Sequence, residues 1–234
     1  MILIENRNAS SEELRFKYPQ ALFVDVTLFS SNAEFRKLSP YYIHRDIPVP
    51  NSSGYYATNV AAIWEGLKVF ENYGIDTTVF EKTNLKDIIR SNVNYGSYIG
   101  HQFGVYGQRI MDLREAREKI LIPAYRSMLD YKTQEVIKWI RAYSENNCLV
   151  LLDNEVNCNI DDTSSPLSNA FLVKAYAEGT YPYEDVYEAV RTYKYCYIGR
   201  HDYEWYGEEK RLKYIKPFEK IRQLSLDFDG VVTK

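Results

Sequence analysis

The segment CLVLLD, residues 148–153, constrains the fold more than any other part of this chain. It is a continuous apolar run bounded by polar residues, which predicts a buried strand. A second strand is predicted over ALFVDVT, residues 21–27, because apolar residues alternate there and β-branched and aromatic side chains are frequent. We expect this second strand to be central in a small sheet. Short strands within a mostly helical pattern predict a helix-rich α+β fold.

Helical periodicity and capping signals account for much of the remaining sequence. The clearest helix is predicted from a cap at Thr58 or Asn59 to about Asn72, with its apolar residues on one stripe. The other predicted helices are a short basic one over residues 82–89, one that starts at Asp112, one that has Pro123 in its first turn and runs to about residue 144, and one that Pro166 opens.

Two segments have the composition of loops. Residues 38–54, LSPYYIHRDIPVPNSSG, carry three prolines and a polar turn cluster, which leaves a long ordered loop or short edge strands. Residues 91–108 are rich in glycine and tyrosine and are also predicted to form a loop. Because long ordered loops often carry function, we expect the first one to lie against the 58–72 helix and form one wall of a site.

Length and composition suit one domain. The chain has 234 residues, of which 45% are hydrophobic and 26% charged. We predict a single domain over 1–234, with a core at about 20–180 and a helical C-terminal extension at about 181–234. Lys and Arg number 29 against 32 Asp and Glu, so no global positive field favours nucleic acid. Neither a signal peptide nor a transmembrane span is recognised, and a cytoplasmic protein is expected.

Cysteine and histidine usage argues against a disulfide framework and against a metal site. The three cysteines are odd in number, lack C-x-x-C spacing and are interpreted as buried small apolar residues. His44, His101 and His201 are isolated from one another, so each is interpreted as structural or as a surface residue, and no metal is predicted. Neither a P-loop nor a dinucleotide-binding glycine motif is present, and no cofactor is predicted.

Two lysines depart from the pattern of their predicted helices. Lys68 falls at the margin of the buried stripe of the 58–72 helix and forms an i,i+3 pair with Glu65. Lys132 falls inside the apolar stripe of the helix after Pro123, so it must snorkel, pair or face a cavity. We predict that both lysines face one cleft. The alternatives are a surface ion pair for the first and a snorkelling side chain for the second.

Carboxylates follow the first strand predicted above. Asp153 ends that strand, and Asp161 and Asp162 lie in the loop that leads to the next helix. A strand fixes such a carboxylate rigidly while the loop leaves it open, which is typical of functional sites. The alternatives are a turn residue at Asp153 and a helix cap at Asp162 or Thr163.

Several segments, in their order and spacing, resemble the NADAR (YbiA-like) family. They are LSPYY (38–42), IPVP (47–50), GYYATNVAAIWEGLKVF (54–70), AREKILIPAYRSMLDYK (116–132) and VLLD (150–153). A closer similarity, over about residues 20–180, is to a bacterial NADAR-like family of uncharacterised proteins with S-P-Y-Y, I-P-V-P, I-W-x-G-L-K-V-F and D-T-S-x-P-L-S segments. On the helix, the NADAR Glu falls on Ala61 and the Gln on Glu65, while Lys68 keeps its place.

The resemblance implies an N-glycosidase that acts on an ADP-ribosylated nucleobase or a related N-riboside, such as a riboflavin-pathway intermediate. Such a bond breaks through an oxocarbenium-like sugar, which needs carboxylates for the positive charge and a proton donor for the leaving base. The catalytic residues implied are Glu65, Lys68, Asp153 and Asp161. Lys68 is expected to protonate the base or to attack a ring-opened C1 aldehyde. The substrate-binding residues implied, with tyrosines for the base and cations for the diphosphate, are Ser39, Tyr41, Tyr42, Tyr56, Arg90, Lys132 and Asn154.

Two other functions stay open. A non-catalytic module that binds ADP-ribose or a nucleotide is favoured by Ala61 in the place of the family Glu. A phage-type accessory protein would use its tyrosine-rich loops as an interface with another protein. The 22 tyrosines suit a ligand-binding cleft, with codon bias as the alternative reason for their number. The expected partner is a small-molecule or nucleic-acid-linked ADP-ribose substrate and not a membrane, and the oligomeric state is not predicted.

Overall fold

Helices and three small sheets alternate along residues 1–182, the part of the chain that the computed structural model describes. The strands are β1 Ile2–Asn6, β2 Leu22–Asp25, β3 Ile47–Pro48, β4 Tyr56–Ala57, β5 Lys68–Phe70, β6 Tyr98–Gln102, β7 Ile110–Met111 and β8 Leu149–Asp153. The α-helices are α1 Ser11–Lys17, α2 Ala33–Arg36, α3 Val60–Gly66, α4 Leu85–Ile88, α5 Asn92–Tyr95, α6 Leu113–Ala116, α7 Ile122–Lys132, α8 Gln134–Asn146 and α9 Asn169–Glu178. The fold is therefore α+β, as predicted. The C-terminal extension beyond Pro182, with Cys196 and His201, lies outside the described residues.

A three-stranded parallel sheet has the order β1–β8–β2. Ile2 and Leu22 pair with Leu149 from its two sides. Residues 149–151 are fully buried, which explains their continuous apolar pattern. The buried strand predicted there is confirmed. The strand predicted over residues 21–27 also forms but is not central, because β8 takes the middle position and leaves β2 at the edge.

The folded unit starts at the first residue and not near residue 20, where the sequence analysis placed the start of the core. β1 pairs with β8 along its whole length. The Met1 amino group donates to the carbonyl oxygens of Ser144 at 2.5 Å and Asn147 at 3.1 Å. α1 connects β1 to β2 and buries Leu14. A β–α–β segment at the N-terminus therefore supplies two strands of the parallel sheet.

The helix predicted over residues 58–72 is shorter in the structure. Asn59 caps α3, since its side-chain oxygen accepts from a main-chain N–H of the first turn at 2.8 Å. α3 ends at Gly66, where an added Cβ would lie 2.4 Å from the Phe80 ring. After Gly66 the chain pairs with β6, and the hydrogen bonds of the sheet take the place of helical ones. Lys68 consequently lies on a strand, which corrects its predicted place on a helical stripe.

β5, β6 and β7 form an antiparallel sheet in that order. The loop predicted over residues 91–108 is therefore wrong in part, since it contains α5 and β6. Gly100 lies so close to β7 that an added Cβ would meet the Met111 carbonyl oxygen at 2.3 Å. A glycine inside the strand also removes the alternation by which a strand is recognised, which explains why β6 was not predicted.

The helices after Asp112 differ from the prediction at two points: α6 and α7 are joined, and the helix that follows Pro123 is divided in two. Asp112 caps α6, and a π-helical turn over Arg117–Leu121 joins α6 to α7, which has Pro123 in its first turn. The helix predicted after this proline breaks at Thr133 into α7 and α8. α9 begins at Asn169, capped by the residue before it.

Residues 38–54 form an ordered loop that includes β3, as predicted. The Pro40 carbonyl accepts from the Ala61 N–H of α3 at 2.9 Å, and the His44 N–H donates to the Thr58 carbonyl at 2.9 Å. The prediction that this loop lies against the 58–72 helix is confirmed at the start of that helix, and its role as a wall of a site stays a prediction.

The cysteines are less buried than predicted. Cys158 is exposed and Cys148 is half-buried. The interpretation of these two residues as buried apolar side chains is therefore wrong.

Candidate active site

Glu65 and Lys68 form a partly buried ion pair at the junction of α3 and β5. Lys68 Nζ donates to Glu65 Oε1. The side chain of Glu65 is 7% exposed and that of Lys68 is 19% exposed. Ion pairs in open solvent contribute little, whereas charges withdrawn from water depend on each other. The structure thus brings the predicted pair together, at a helix–strand junction and not along one helix.

Arg90 holds this junction from the inside. Its residue is 4% exposed, and its guanidinium donates to the carbonyl oxygens of Glu65 at 3.3 Å, Lys68 at 2.8 Å and Gly74 at 2.7 Å. Its main-chain N–H donates to Glu65 Oε2 at 2.9 Å, so both oxygens of that carboxylate are held. Aromatic rings of β5 and α5 flank the guanidinium at 5.0 and 4.8 Å. These contacts make Arg90 a structural clamp in place of the predicted diphosphate ligand.

His101 lies opposite Lys68 in the pairing of β5 with β6. It is fully buried, and the Trp64 ring packs on it with ring centroids 3.8 Å apart. Burial, and next the charge of Lys68, lower the pKa of His101 to about 3, while the Trp64 carbonyl acts in the opposite direction. The imidazole is therefore neutral at physiological pH. The Tyr98 hydroxyl lies 2.7 Å from its Nδ1.

Half-buried aromatic side chains lie around the ion pair. Burial raises the pKa of Tyr41, and the negative charge of Glu65 raises it further. Burial, followed by the charges of Asp112 and Glu65, raises the pKa of Tyr98 to about 12. Glu65 thus acts electrostatically on two phenols, and Trp64 beside it is half-buried. Aromatic surface next to a fixed ion pair is suited to a ligand that has a flat ring or a sugar.

The other predicted loop residues have supporting or outlying positions. Ser39 is buried, and its hydroxyl accepts from the Tyr41 N–H at 3.3 Å, which stabilises the turn. The Tyr42 ring lies 4.8 Å from the His44 ring. Tyr56 lies on β4 and is 52% exposed. Of these residues only Tyr41 interacts with Glu65 in the described part of the chain.

Lys132 ends α7 and is half-buried. Burial lowers the pKa of His44, and the charge of Lys132 lowers it further, so this lysine lies near the 38–54 loop. Within residues 1–182 no ion pair or hydrogen bond of its side chain is found. No hydrogen bond or ion pair connects it with the Glu65–Lys68 pair in this range, and a shared cleft for the two lysines stays a prediction.

Asp153 binds the N-terminus of α9. Its Oδ2 accepts from Ser168 Oγ at 3.0 Å and from the N–H groups of Asn169 at 2.6 Å and Ala170 at 3.0 Å. Its Oδ1 accepts from the Asn154 N–H at 2.8 Å. A buried carboxylate with four donors at a helix N-terminus is a structural cap. This arrangement assigns Asp153 a structural role in place of the predicted catalytic one.

Asp161 and Asn154 belong to the loop after β8. The Asp161 side chain is 66% exposed and its Oδ1 lies 2.5 Å from Arg114 Nε. The Asn154 carbonyl accepts from Asn6 Nδ2 at 2.9 Å. Among the described residues neither is hydrogen-bonded or ion-paired to Glu65 or Lys68 at the α3–β5 junction.

Tyr98, His101 and Trp64 were not among the site residues predicted from the sequence. No alternating pattern marks β6, because Gly100 interrupts it. The one available signal is a histidine within a tyrosine-rich segment, which does not distinguish a site from a core residue. Only the pairing of His101 with Lys68 across the sheet identifies these side chains as part of the site.

Residues 1–182 contain no group of three or more His, Cys, Asp or Glu side chains placed to hold a metal ion. No helix in that range has both the length and the apolar character needed to span a membrane.

Comparison with known proteins gives one match. Neither a curated protein nor a solved structure matches the chain. A family of unknown function, DUF6939, matches residues 6–173. The match covers more than half of the chain and includes the ion pair, its clamp and the surrounding aromatic residues. The chain therefore belongs to the DUF6939 family of unknown function.

Proposed function

We propose that this protein hydrolyses the N-glycosidic bond of an ADP-ribosylated nucleobase or a related N-riboside at the site around Glu65 and Lys68. The observation that carries the proposal is the low exposure of this ion pair beside half-buried aromatic rings. The resemblance to the NADAR family supports the substrate class, and the two charges support the reaction type.

In the proposed reaction the C1–N bond breaks and the base leaves with the bonding electrons. The base gains a proton from Lys68, a water oxygen bonds to C1, and the proton that this water loses restores the Lys68 ammonium. Glu65 supplies negative charge for the oxocarbenium-like sugar, and Lys68 donates the proton to the leaving base. A Schiff base between the same amine and a ring-opened C1 aldehyde is the alternative route. We assign no step to Asp153, which binds the start of α9, or to Asp161, which pairs with Arg114.

Ligand binding is assigned to two aromatic rings beside the ion pair and to one lysine. The rings of Tyr41 and Trp64 provide stacking surface for the base. Of the two cations predicted for the diphosphate, Arg90 and Lys132, we keep Lys132 as the candidate, because it is half-buried and has no ion-pair partner within residues 1–182.

The second candidate is a module that binds ADP-ribose without cleaving it. Both Glu65 oxygens already accept hydrogen bonds, and Ala61 stands where the NADAR helix has its Glu. A third candidate, a protein-binding accessory factor, is favoured by exposed tyrosines such as Tyr56 and Tyr73.

Lys68→Ala should abolish turnover more than binding. A lysine that protonates the leaving base acts mainly in the transition state, so kcat should fall by about 100-fold or more while the Kd for ADP-ribose changes little. Calorimetry with ADP-ribose measures binding, and chromatography of ADP-ribosylated guanosine after incubation measures cleavage. Lys68→Gln provides a second variant, and thermal unfolding checks that each variant is folded.

Lys138→Ala is the matched control. Lys138 also pairs with a glutamate in i,i+3 spacing, but its side chain is 64% exposed. This variant should bind and cleave like the wild type. Binding without cleavage by the wild type would favour the non-catalytic module. Absence of wild-type binding would remove both nucleotide-based functions and leave the protein-binding candidate.

A further inference from the structure

Lys68 and His101 face each other across the β5–β6 pairing. Their Cα atoms are partners in the register, so their side chains lie on the same face of the antiparallel sheet. Trp64 covers the imidazole from α3. The proposed reaction uses neither His101 nor Tyr98. These two side chains are hydrogen-bonded to each other.

The position of the imidazole proton decides what the Tyr98 hydroxyl does. A neutral imidazole has one N–H donor and one lone pair. Nδ1 faces Tyr98 Oη, and Nε2 is buried without a hydrogen bond among the described residues. A phenolic O–H is a stronger donor than an imidazole N–H, and an imidazole nitrogen is a stronger acceptor than a phenol oxygen, so we assign the 2.7 Å contact as donation from Tyr98 Oη to Nδ1. The ring proton of His101 is therefore placed on Nε2.

With this tautomer the Tyr98 hydroxyl can only accept a hydrogen bond from a ligand. Its single proton is committed to His101, while its oxygen keeps lone pairs that no described residue occupies. Glu65 and Asp112 both act on this phenol with negative charge. Their field favours an approaching hydrogen-bond donor over an approaching acceptor.

We propose that Tyr98, fixed by His101, is a specificity-determining residue that accepts a hydrogen bond from an N–H or O–H group of the ligand. Ribose hydroxyls and the amino groups of nucleobases are donors of this kind. The inference rests on the proposed function in one respect, since it takes a nucleotide-like ligand to bind beside Glu65 and Lys68.

The hydrogen-bond direction is tested first without ligand. Long-range ¹H–¹⁵N spectra of the full chain report the tautomer of each histidine, and His101→Gln identifies the signals. We expect a neutral ring with the proton on Nε2 between pH 5 and 8, and a shifted Nδ1 signal in Tyr98→Phe. A proton on Nδ1 would overturn the inference, because Tyr98 would then accept from His101.

The ligand contact is tested by calorimetry with ADP-ribose. Tyr98→Phe should weaken binding by about 3- to 10-fold, which corresponds to one hydrogen bond. Tyr143→Phe on α8 is the control and should bind like the wild type. Wild-type binding that Tyr98→Phe leaves intact overturns the specificity role alone. Absence of wild-type binding overturns the proposed function and this role together.

Discussion

At the scale of single residues, two cations near the same glutamate differ in what their donors contact. Arg90 directs its guanidinium at three main-chain carbonyls and is buried. Lys68 directs its amine at a carboxylate and keeps some contact with solvent. A planar guanidinium with several fixed donors is suited to hold a turn, whereas a single amine is suited to give up a proton. The first residue is therefore expected to affect stability and the second to affect chemistry.

Arg90→Ala should lower the free energy of unfolding by about 2–4 kcal/mol, because buried carbonyl oxygens lose their donors. Urea unfolding followed by circular dichroism measures the change. Arg109→Ala is the matched control, since that arginine pairs with Glu115 and has a side chain that is 58% exposed, and it should change stability little. Weaker ADP-ribose binding by Arg90→Ala at unchanged stability would restore the diphosphate role.

At the scale of elements, one carboxylate couples β8 to α9. Asp153 closes the strand and binds the first N–H groups of the helix, together with the Ser168 hydroxyl. The first N–H groups of a helix have no partner within it, so a buried helix start needs such an acceptor. A carboxylate at the end of a strand can therefore be a catalytic residue or a helix cap. Its role depends on whether the next helix begins against it, as α9 does here.

Asp153→Ala should destabilise the protein by about 3 kcal/mol, since it leaves a hydroxyl and main-chain N–H groups buried without an acceptor. Asp153→Asn keeps one acceptor oxygen and should lose less. Thermal and urea unfolding measure both changes. Asp161→Ala, which removes an exposed carboxylate from the following loop, is the control and should have little effect. A stable Asp153→Ala variant that fails to cleave substrate would instead support a catalytic role.

At the scale of the whole molecule, α7 is the helix around which the described unit packs. It contacts α3, β3, α8 and α9. Tyr125, Met128 and Leu129 on this helix are fully buried, and the Tyr125 hydroxyl donates to the Leu38 carbonyl at 2.5 Å. The described unit also buries the uncharged His101, so its stability depends on pH.

Stability should fall as the pH is lowered from 7.5 to 5. Burial lowers the pKa of His101 from 6.5 to about 3, so in this window the unfolded chain binds a proton that the folded chain does not. The loss from His101 should be about 2 kcal/mol at pH 5. The pKa of His44 is lowered as well, which adds an effect of the same sign.

Urea unfolding at several pH values measures this slope. His101→Gln removes the titrating group and should flatten the dependence, even though the variant is less stable at pH 7.5. An equal slope in the wild type and in His101→Gln would show that other groups are responsible.

The helix caps at Asn59 and Asp112, the buried strand at β8 and the proline-rich loop were predictable from sequence because each depends on local chemistry. Capping needs a side-chain acceptor at one position, a buried strand needs a run of apolar residues, and proline removes the main-chain donor that a helix uses. The pairing of Glu65 with Lys68 was predicted from helical i,i+3 spacing, but in the structure it forms across the α3–β5 junction.

Only the tertiary structure decided where α3 ends, which strand is central and which side chains surround the ion pair. α3 ends at Gly66 because the Phe80 ring lies against this glycine and the residues that follow pair with β6, and neither neighbour is local in sequence. His101 joins the site because sheet register places it opposite Lys68, and Asp153 leaves it because α9 begins against its carboxylate. Sequence patterns report local hydrogen bonding and burial, whereas strand pairing and helix docking depend on contacts between distant segments.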